Sequence, residues 1–310
     1  MQIAAEQYRL VRLANGAYSL RSDTHGETFH PVIGPVAEAE ALYVQQTRLP
    51  ARMERCAGEF VIWDIGLGAA ANALATLRAT RHARCPVRMV SFDRTLQPLA
   101  FALEHADLLG YFHDFREPLE ALMRTGRTTK TEAHRLIRWE LHLADFPAWI
   151  EHAARHRPAP GAPLESPMDS APGQPFPPAP DAILFDAYSP AKNPAMWTLP
   201  LFTRLYSLLD PARPCSLATY SRSTLLRATL LLAGFYVGRG RATGEKEETT
   251  VAANTPALLD DPLDSRWLTR ARNSTSAEPL DQEVYRQAPL TPGSWERLRR
   301  HPQFASGLGG

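Results

Sequence analysis

Cysteine, lysine and long apolar runs are all scarce in this chain of 310 residues. The three cysteines (Cys56, Cys85 and Cys215) are scattered without metal-ligand spacing, as is typical of reduced cytosolic thiols. No apolar run approaches the ~20 residues that span a bilayer, and the charged N-terminal segment does not resemble a signal peptide. We therefore expect no disulfide, no metal and no membrane partner, and a cytoplasmic location.

The charge balance argues against a strongly cationic protein that binds nucleic acid without regard to sequence, since the formal net charge is only +1. Lysine occurs only at positions 130, 192 and 246, so nearly all the basic residues are arginines. Arginine suits phosphate and base contacts, but a GC-rich gene would give the same excess. The net charge does not exclude a local basic patch.

The most informative stretch is residues 60–70, FVIWDIGLGAA. Its first four residues predict a buried parallel strand that ends at Asp64, and Gly66 and Gly68 follow at once. The next twelve residues have a helical pattern. Glycines let a backbone approach a ligand, and a helix N-terminus offers unpaired N–H groups. The stretch therefore predicts the start of a nucleotide-binding βα unit.

The details of this turn favour one nucleotide over another. A dinucleotide fingerprint requires a third glycine, but position 71 is alanine. The carboxylate of Asp64 would repel a pyrophosphate, whereas it can bind the ammonium group of a methionine-like tail. We therefore expect S-adenosylmethionine rather than NAD as the cofactor.

Strands and helices alternate from position 60 onward, which predicts an α/β fold with a mostly parallel, doubly wound sheet. Four predicted strands end in aspartate: Asp64, Asp93, Asp145 and Asp186. Because parallel strand ends share one edge of the sheet, we predict Asp93 at a ribose, Asp145 at the adenine edge and Asp186 near the reacting group. The alternative is that each aspartate only caps a helix or forms a turn.

Three regions are predicted along the chain. Residues 1–50 form a small N-terminal cap with a hairpin at Asn15–Gly16, and a helix follows it. Residues 51–257 form the α/β core, interrupted by a proline-rich insertion at 157–180 that we expect to be a flexible, tolerated loop rather than a partner-binding segment. Residues 258–310 form a polar tail with one helix near residues 295–302.

The block at residues 186–197, DAYSPAKNPAMW, follows the fourth strand and contains three prolines. Its polar groups and the flat faces of Tyr188 and Trp197 could line a pocket for a base or an amine. Equally, the aromatic residues could belong to the core while Lys192 is solvated. The residues alone do not decide between these two interpretations.

With this block the sequence resembles the MnmC-type tRNA 5-methylaminomethyl-2-thiouridine methyltransferases in their stand-alone form. The resemblance is carried by residues 181–202, DAILFDAYSPAKNPAMWTLPLF, by residues 217–237 with their A-T-Y and A-G-F segments, and by the Y-S, G-E-x-x-H and E-A segments of residues 18–44. Apart from the insertion, it covers roughly residues 8–253.

The resemblance implies a class I, Rossmann-like methyltransferase that uses S-adenosylmethionine to methylate the aminomethyl group of a modified wobble uridine in the anticodon region of tRNA. It implies Asp186 as the catalytic residue, and Glu27 and His30 as residues that close over the cofactor. A separate flavin oxidase or tRNA-modifying complex would supply the amine. The expected cofactor residues are Asp64, Gly66, Gly68, Asn72, Asp93, Asp145 and Glu27, and the expected substrate residues are Tyr188, Pro190, Lys192, Asn193 and Trp197.

Two departures from the family pattern leave rival functions open. Ala70 stands where the motif has its third glycine, and residues 244–250 carry fewer positive charges than the family segment. The rivals are a non-catalytic or RNA-binding paralogue on the same fold and a small-molecule N-methyltransferase. Binding to tRNA would require basic residues to cluster, for instance Lys192, Arg222, Arg239 and Arg241.

Overall fold

The computed structural model describes residues 7–156, 176–243 and 247–305. The predicted flexible insertion falls largely on residues 157–175, outside the described part of the chain. The strands are β1 Tyr8–Arg12, β2 Tyr18–Ser22, β3 Glu27–Thr28, β4 Phe60–Ile65, β5 Val87–Asp93, β6 Arg127–Glu132, β7 Arg135–Leu143, β8 Ala182–Phe185, β9 Ser216–Thr219, β10 Tyr236–Gly240 and β11 Thr249–Ala253.

Helices flank these strands throughout the described residues. They are α1 Pro35–Ala39, α2 Leu49–Glu54, α3 Ala71–Ala79, α4 Gln97–Glu104, α5 Ala106–Leu109, α6 Arg116–Thr125, α7 Phe146–His156, α8 Leu199–Ser207, α9 Thr224–Ala233, α10 Ser265–Arg272, α11 Pro292–Arg299 and α12 Pro302–Ala305. A π-helical turn, Glu40–Gln45, continues α1, and short 3-10 turns occur at His113–Phe115, Pro194–Trp197 and Pro256–Leu258. No helix among the described residues is long and apolar enough to cross a membrane.

The central sheet has eight strands in the order β10-β11-β9-β8-β4-β5-β7-β6. Its five inner strands, β9 to β7, are parallel, and the three outer ones pair antiparallel. The predicted mostly parallel α/β sheet is confirmed. The chain leaves β4 toward β5 on one side and returns to β8 on the other. Such a reversal opens a crevice at the carboxyl ends of the strands.

The sheet is buried on both faces, which explains why its strands are apolar at nearly every position. Along β4, Val61, Trp63 and Ile65 face one core cluster while Phe60 and Ile62 face the other. The whole of β4 is buried. The rim formed by the strand ends is thus held between two apolar layers.

The N-terminal region forms the predicted hairpin, in which β1 pairs antiparallel with β2. The helix predicted after it begins as α1 and continues as the π-helical turn. Turns of this kind are rare and frequently occur at functional sites. The turn places Tyr43 inside the core, beside the end of β8.

Three parts of the fold differ from the sequence-based expectation. The strands β6 and β10 were not predicted, because RTTKTE is polar throughout and YVGRG contains two glycines. As far as residue 305, where the description ends, the C-terminal tail has three helices rather than one. Trp267, Leu268 and Leu298 from these helices are buried in the same cluster as β4, so the described tail belongs to the core packing.

Candidate active site

A cavity of about 540 Å³ lies where the chain order of the sheet reverses. Its floor is formed by the residues that follow β4, β5, β7 and β8, and its cover by the N-terminal hairpin and α1. The volume lies within the range of small-molecule and cofactor sites. Phe29 of the cover lies directly over the glycine turn, since a Cβ on Gly68 would stand 3.2 Å from its ring.

The glycine turn after β4 has three residues in the left-handed region: Gly66 (φ +94°), Gly68 (φ +51°) and Ala70 (φ +62°). At Gly66 a Cβ would overlap the backbone carbonyl of Asp186, so only glycine fits. Ala70 adopts a conformation that L-residues with a side chain rarely populate. Alanine at position 70 therefore keeps the shape of the turn, and the cost is a strained backbone where the chain enters α3.

Asp64 does not reach the cavity wall, because the strand continues through it to Ile65. The side chain is fully buried, and its Oδ2 accepts a hydrogen bond from the Ser91 hydroxyl (2.7 Å), which in turn accepts one from the Trp139 indole (2.9 Å). Oδ1 has no hydrogen-bond partner among the described residues. Burial raises the pKa of Asp64 from its ordinary value of 3.8 to about 7.

This shift predicts that Asp64→Asn makes stability less dependent on pH. Between pH 3.8 and about 7 the folded protein keeps a proton that the unfolded chain has lost, so this stabilisation is complete below pH 3.8 and is lost as pH rises to about 7. Asparagine does not titrate. The free energy of unfolding of the variant, measured by urea denaturation without cofactor, should therefore gain on that of wild type from pH 4 to 7 and then level off.

The exposed Asp107→Asn is the matched control for this experiment, because Asp107 lies on the surface of α5. Its difference from wild type should change little over the same pH range. A difference between Asp64→Asn and wild type that is the same at every pH would contradict the assignment.

Asp93 and Asp145 both line the cavity. The carboxylate of Asp93 accepts backbone N–H groups from Gly68 (2.9 Å), Arg94 (2.7 Å) and Thr95 (3.2 Å), which fixes it beside the glycine turn. The carboxylate of Asp145 accepts the N–H of Ala148 (3.3 Å) at the start of α7. Asp93 thus stabilises a turn and Asp145 caps a helix, and both also line the cavity. The ligand-binding interpretation and the structural interpretation of these aspartates are therefore compatible.

Asp186 lines the cavity at the end of β8. Its Oδ2 accepts a hydrogen bond from the amide of the buried Asn72 (2.7 Å). Two tyrosines hold the backbone on either side of it: Tyr43 donates to the carbonyl of Phe185 (3.5 Å) and Tyr220 to that of Ala187 (3.0 Å). Burial, and then the negative charge of Asp186, raise the pKa of both tyrosines well above the usual value, so both remain hydrogen-bond donors.

Comparison with known proteins agrees with this geometry. A family model described as S-adenosyl-L-methionine-dependent methyltransferase matches residues 174–255. The tRNA 5-methylaminomethyl-2-thiouridine biosynthesis bifunctional protein MnmC of Methylibium petroleiphilum is 30% identical over 260 residues, covering 82% of this chain and 36% of the relative. The protein of the same name from Aeromonas hydrophila is 28% identical over 244 residues, covering 73% of this chain and 32% of the relative.

The crystal structure of MNMC2 from Aquifex aeolicus covers 96% of this chain and 85% of its own, with a TM-score of 0.65 and 22% identity, and so shares the fold. This chain carries an MnmC-type methyltransferase domain. It spans about a third of the length of the curated relatives it matches. The predicted family, the Rossmann-like fold and the S-adenosylmethionine-dependent methyltransferase class are confirmed.

The chemistry of the MnmC-type cavity fits S-adenosylmethionine. Gly66 and Gly68 bring the backbone close to the cavity, as a nucleoside cofactor requires. Asp93 and Asp145 supply acceptors for ribose and adenine donors. The buried Oδ1 of Asn72 has no partner among the described residues, which leaves an acceptor for a ligand donor. In the described part of the chain, no group of three His, Cys, Asp or Glu side chains could hold a metal ion.

Only some of the predicted substrate residues in the loop after β8 of the MnmC-type domain line the cavity. Tyr188, Lys192 and Asn193 line the cavity. The ring of Tyr188 stacks on His25 at a centroid distance of 4.1 Å. From the cover, Glu27 accepts hydrogen bonds from the hydroxyl and the backbone N–H of Ser189, so it joins the N-terminal region to this loop.

Three predicted roles need correction. Trp197 is fully buried, packs on Phe185 and donates to the carbonyl of Tyr188 (2.8 Å), so the core interpretation holds and it supports the loop instead of touching a substrate. Pro190 does not line the cavity. Arg239 contacts three carboxylates, those of Glu248, Asp261 and Asp264, and therefore offers little charge to a phosphate.

Sequence reasoning missed four residues around Asp186: His25, Glu38, Tyr43 and Tyr220. Glu38, Tyr43 and Tyr220 come from segments far from Asp186 in the sequence, and His25 is brought in by the cover. No local motif joins them. All four residues lie inside segments that resemble the family, and this position is the signal that could have identified them. His25 precedes the G-E pair, Glu38 lies in the E-A segment, and Tyr220 lies in the A-T-Y segment.

Proposed function

We propose that this domain transfers a methyl group from S-adenosylmethionine to the aminomethyl nitrogen of a modified wobble uridine in tRNA. The observation that carries the proposal is the Asp186 carboxylate, which lines the cavity where the chain order reverses and is oriented by Asn72. The names of the MnmC relatives support tRNA as the substrate class. The amine would come from a separate flavin oxidase or tRNA-modifying complex, in the cytoplasm.

Gly66, Gly68, Asn72, Asp93 and Asp145, with Glu27 of the cover, are the residues proposed to hold the cofactor. The buried Asp64 would act on it electrostatically, from behind the wall. When bound, S-adenosylmethionine supplies a methyl group that is already electrophilic, so the protein mainly has to align the amine. Asp186 accepts a hydrogen bond from the amine and directs the nitrogen lone pair into the cavity.

The uracil ring is proposed to stack against the Tyr188–His25 pair. An unpaired RNA base exposes both faces, and aromatic side chains recognise it by stacking. Arg94 and Lys192 also line the cavity and are exposed, and no salt bridge to either is seen among the described residues. They can contact the phosphates beside the base. Arg94 and Lys192 therefore take the role that the sequence had suggested for Arg239.

The tRNA interaction predicts a specific dependence on salt. Lys192→Ala and Arg94→Ala should each weaken tRNA binding and reduce the slope of log affinity against log salt by about 0.7, because each removes one phosphate contact. Lys130→Ala is the matched control, since Lys130 lies on β6 and its ammonium donates to the carbonyl of Asp114, outside the cavity. Equal slopes for all three variants would contradict these contacts.

Mass analysis of nucleosides tests the proposed function itself. A strain lacking this gene should accumulate the aminomethyl uridine and lose its methylated form, and the gene on a plasmid should restore it. An unchanged nucleoside profile, together with cofactor binding by isothermal titration, would favour a small-molecule N-methyltransferase. Absence of cofactor binding would favour the non-catalytic paralogue.

A further inference from the structure

One histidine of the cavity lies between two carboxylates. The imidazole Nδ1 of His30 is 3.8 Å from the carboxylate of Glu38, and its Nε2 is 3.7 Å from Oδ2 of Asp186. The side chains of His30 and Glu38 are each only 9% exposed. All three residues line the cavity. The imidazole therefore connects the carboxylate proposed to orient the amine with a second, more deeply buried carboxylate.

The backbone at His30 is unusual as well. Its φ is +48°, a left-handed conformation that residues with a side chain rarely adopt. The preceding residue is fixed to β2, since the N–H of Phe29 donates to Leu20 (2.8 Å) and the Ser19 hydroxyl donates to the carbonyl of Phe29. Strain of this kind persists only where the surroundings impose it, and it clusters at active sites.

The proposed function requires a proton acceptor. At neutral pH an alkylamine is mostly an ammonium ion, whose nitrogen has no lone pair with which to attack. We propose that His30 accepts one proton of the bound ammonium at Nε2, that Glu38 stabilises the imidazolium through Nδ1–H, and that the proton leaves from there to water; this assignment rests on the proposed function. The neutral nitrogen then forms its bond to the methyl carbon while the carbon–sulfur bond breaks and leaves its electron pair on sulfur, and the product leaves as a secondary ammonium ion.

The geometry favours His30 over Asp186 for this task. Oδ2 of Asp186 already accepts the Asn72 amide, and a carboxylate is a weaker base at neutral pH than an imidazole. For this step the neutral His30 must carry its proton on Nδ1, toward Glu38, which leaves the Nε2 lone pair toward Asp186 and the substrate. Once Nε2 is protonated, each nitrogen carries a proton that faces a carboxylate, so the two carboxylates stabilise the imidazolium.

The charged and titratable groups that face His30 come from several elements of the fold. Glu38 of α1 and Asp186 after β8 are nearest. The remaining titratable or charged groups on the cavity wall are Tyr8, Arg21, His25, Glu27, Asp93, Arg94, Asp145, Tyr188, Lys192 and Tyr220, with Tyr43 and Asp64 buried behind it.

The test compares His30→Asn with wild type in single-turnover methylation of tRNA that carries the aminomethyl group. Asparagine tolerates a left-handed backbone, so the substitution removes the base and keeps the turn. We expect a loss of at least ~10²-fold near pH 6.5 that shrinks below ~10-fold near pH 9.5, where the amine reaches the site already neutral. Rates are compared at saturating S-adenosylmethionine, so that a contact of His30 with the cofactor does not enter the comparison. His82→Asn, an exposed histidine outside the cavity, is the matched control.

Glu38→Gln provides a second variant. It removes a partner of the imidazolium, so the acidic limb of its rate profile should move to lower pH. A loss in His30→Asn of the same size at every pH, or an acidic limb that does not move in Glu38→Gln, would overturn the proton role and leave a positioning role. If wild type binds the cofactor but methylates no aminomethylated tRNA, the proposed function fails, and this assignment with it.

Discussion

Asp186→Asn is expected to lower the rate of methyl transfer at least ~10²-fold, the lower range for loss of a positioned acid–base group. The amide has nearly the shape of the carboxylate but no negative charge. It also presents an NH2 group, either to the Asn72 amide that now donates to Oδ2 (2.7 Å) or to the amine of the substrate. Both the orientation of the amine and the attraction for its developing positive charge are therefore lost.

The binding of S-adenosylmethionine separates this role from a structural one. Asp186→Asn should bind the cofactor within about threefold of wild type, because the groups proposed to hold the nucleoside follow β4, β5 and β7. Asp107→Asn, on the surface of α5, should keep full activity. A variant at position 186 that methylates tRNA at the wild-type rate would remove Asp186 from the mechanism.

A variant at Asn72 tests the orientation of the Asp186 carboxylate separately from its charge. Asn72→Ala leaves the carboxylate in place but removes the amide that holds Oδ2. A buried polar partner is lost, and the loss of activity at saturating S-adenosylmethionine should therefore be smaller than in Asp186→Asn, with a normal response to pH. The two variants together distinguish a missing acceptor from a misdirected one.

The sequence was sufficient to predict the parts of the site that are local. Gly66 and Gly68 stand within nine residues of the start of β4, and Asp93 and Asp186 directly follow or end their strands, so position along the chain implied position on the rim. Alternation of strands and helices indicated the parallel sheet for the same reason. These features depend on neighbours in the sequence and on the rule that parallel strand ends share an edge.

The parts that sequence reasoning missed depend on how distant segments meet. Glu38 comes close to Asp186 through His30, and Tyr43 through the carbonyl of Phe185, only because α1 and the π-helical turn pack against the end of the sheet. Trp197 was ambiguous because an aromatic residue after a strand suits a pocket and a core equally well, and only packing against Phe185 decides. The strand β6 was hidden because an edge strand needs no apolar face.

Gly66→Ala should lower the free energy of unfolding by about 2–4 kcal/mol and abolish tight cofactor binding. Two costs combine. A side chain at φ +94° is strained by about 1–3 kcal/mol, and the new Cβ would overlap the carbonyl of Asp186, where relief through backbone shifts costs about 1–3 kcal/mol more. The lower entropy of the unfolded alanine chain returns only about 0.4–1 kcal/mol.

Two other glycines separate these costs. Gly110→Ala meets the same backbone strain at φ +69° with open space around the new Cβ, and Gly58→Ala meets neither strain nor contact. Urea denaturation should therefore rank the variants, with position 66 losing most, position 110 about 1 kcal/mol and position 58 almost nothing. The extra loss at position 66 then comes chiefly from the overlap.

The same overlap connects the fold to the chemistry. The carbonyl that blocks a side chain at position 66 belongs to Asp186, whose own N–H donates to Ile65 of β4 (2.9 Å). Relief of the overlap must move β8 away from β4 at the point where the carboxylate enters the cavity. Gly66→Ala should therefore lose activity beyond its loss of cofactor affinity, even at saturating cofactor. If its activity there equals that of Gly110→Ala, the contact between the two strand ends does not position Asp186.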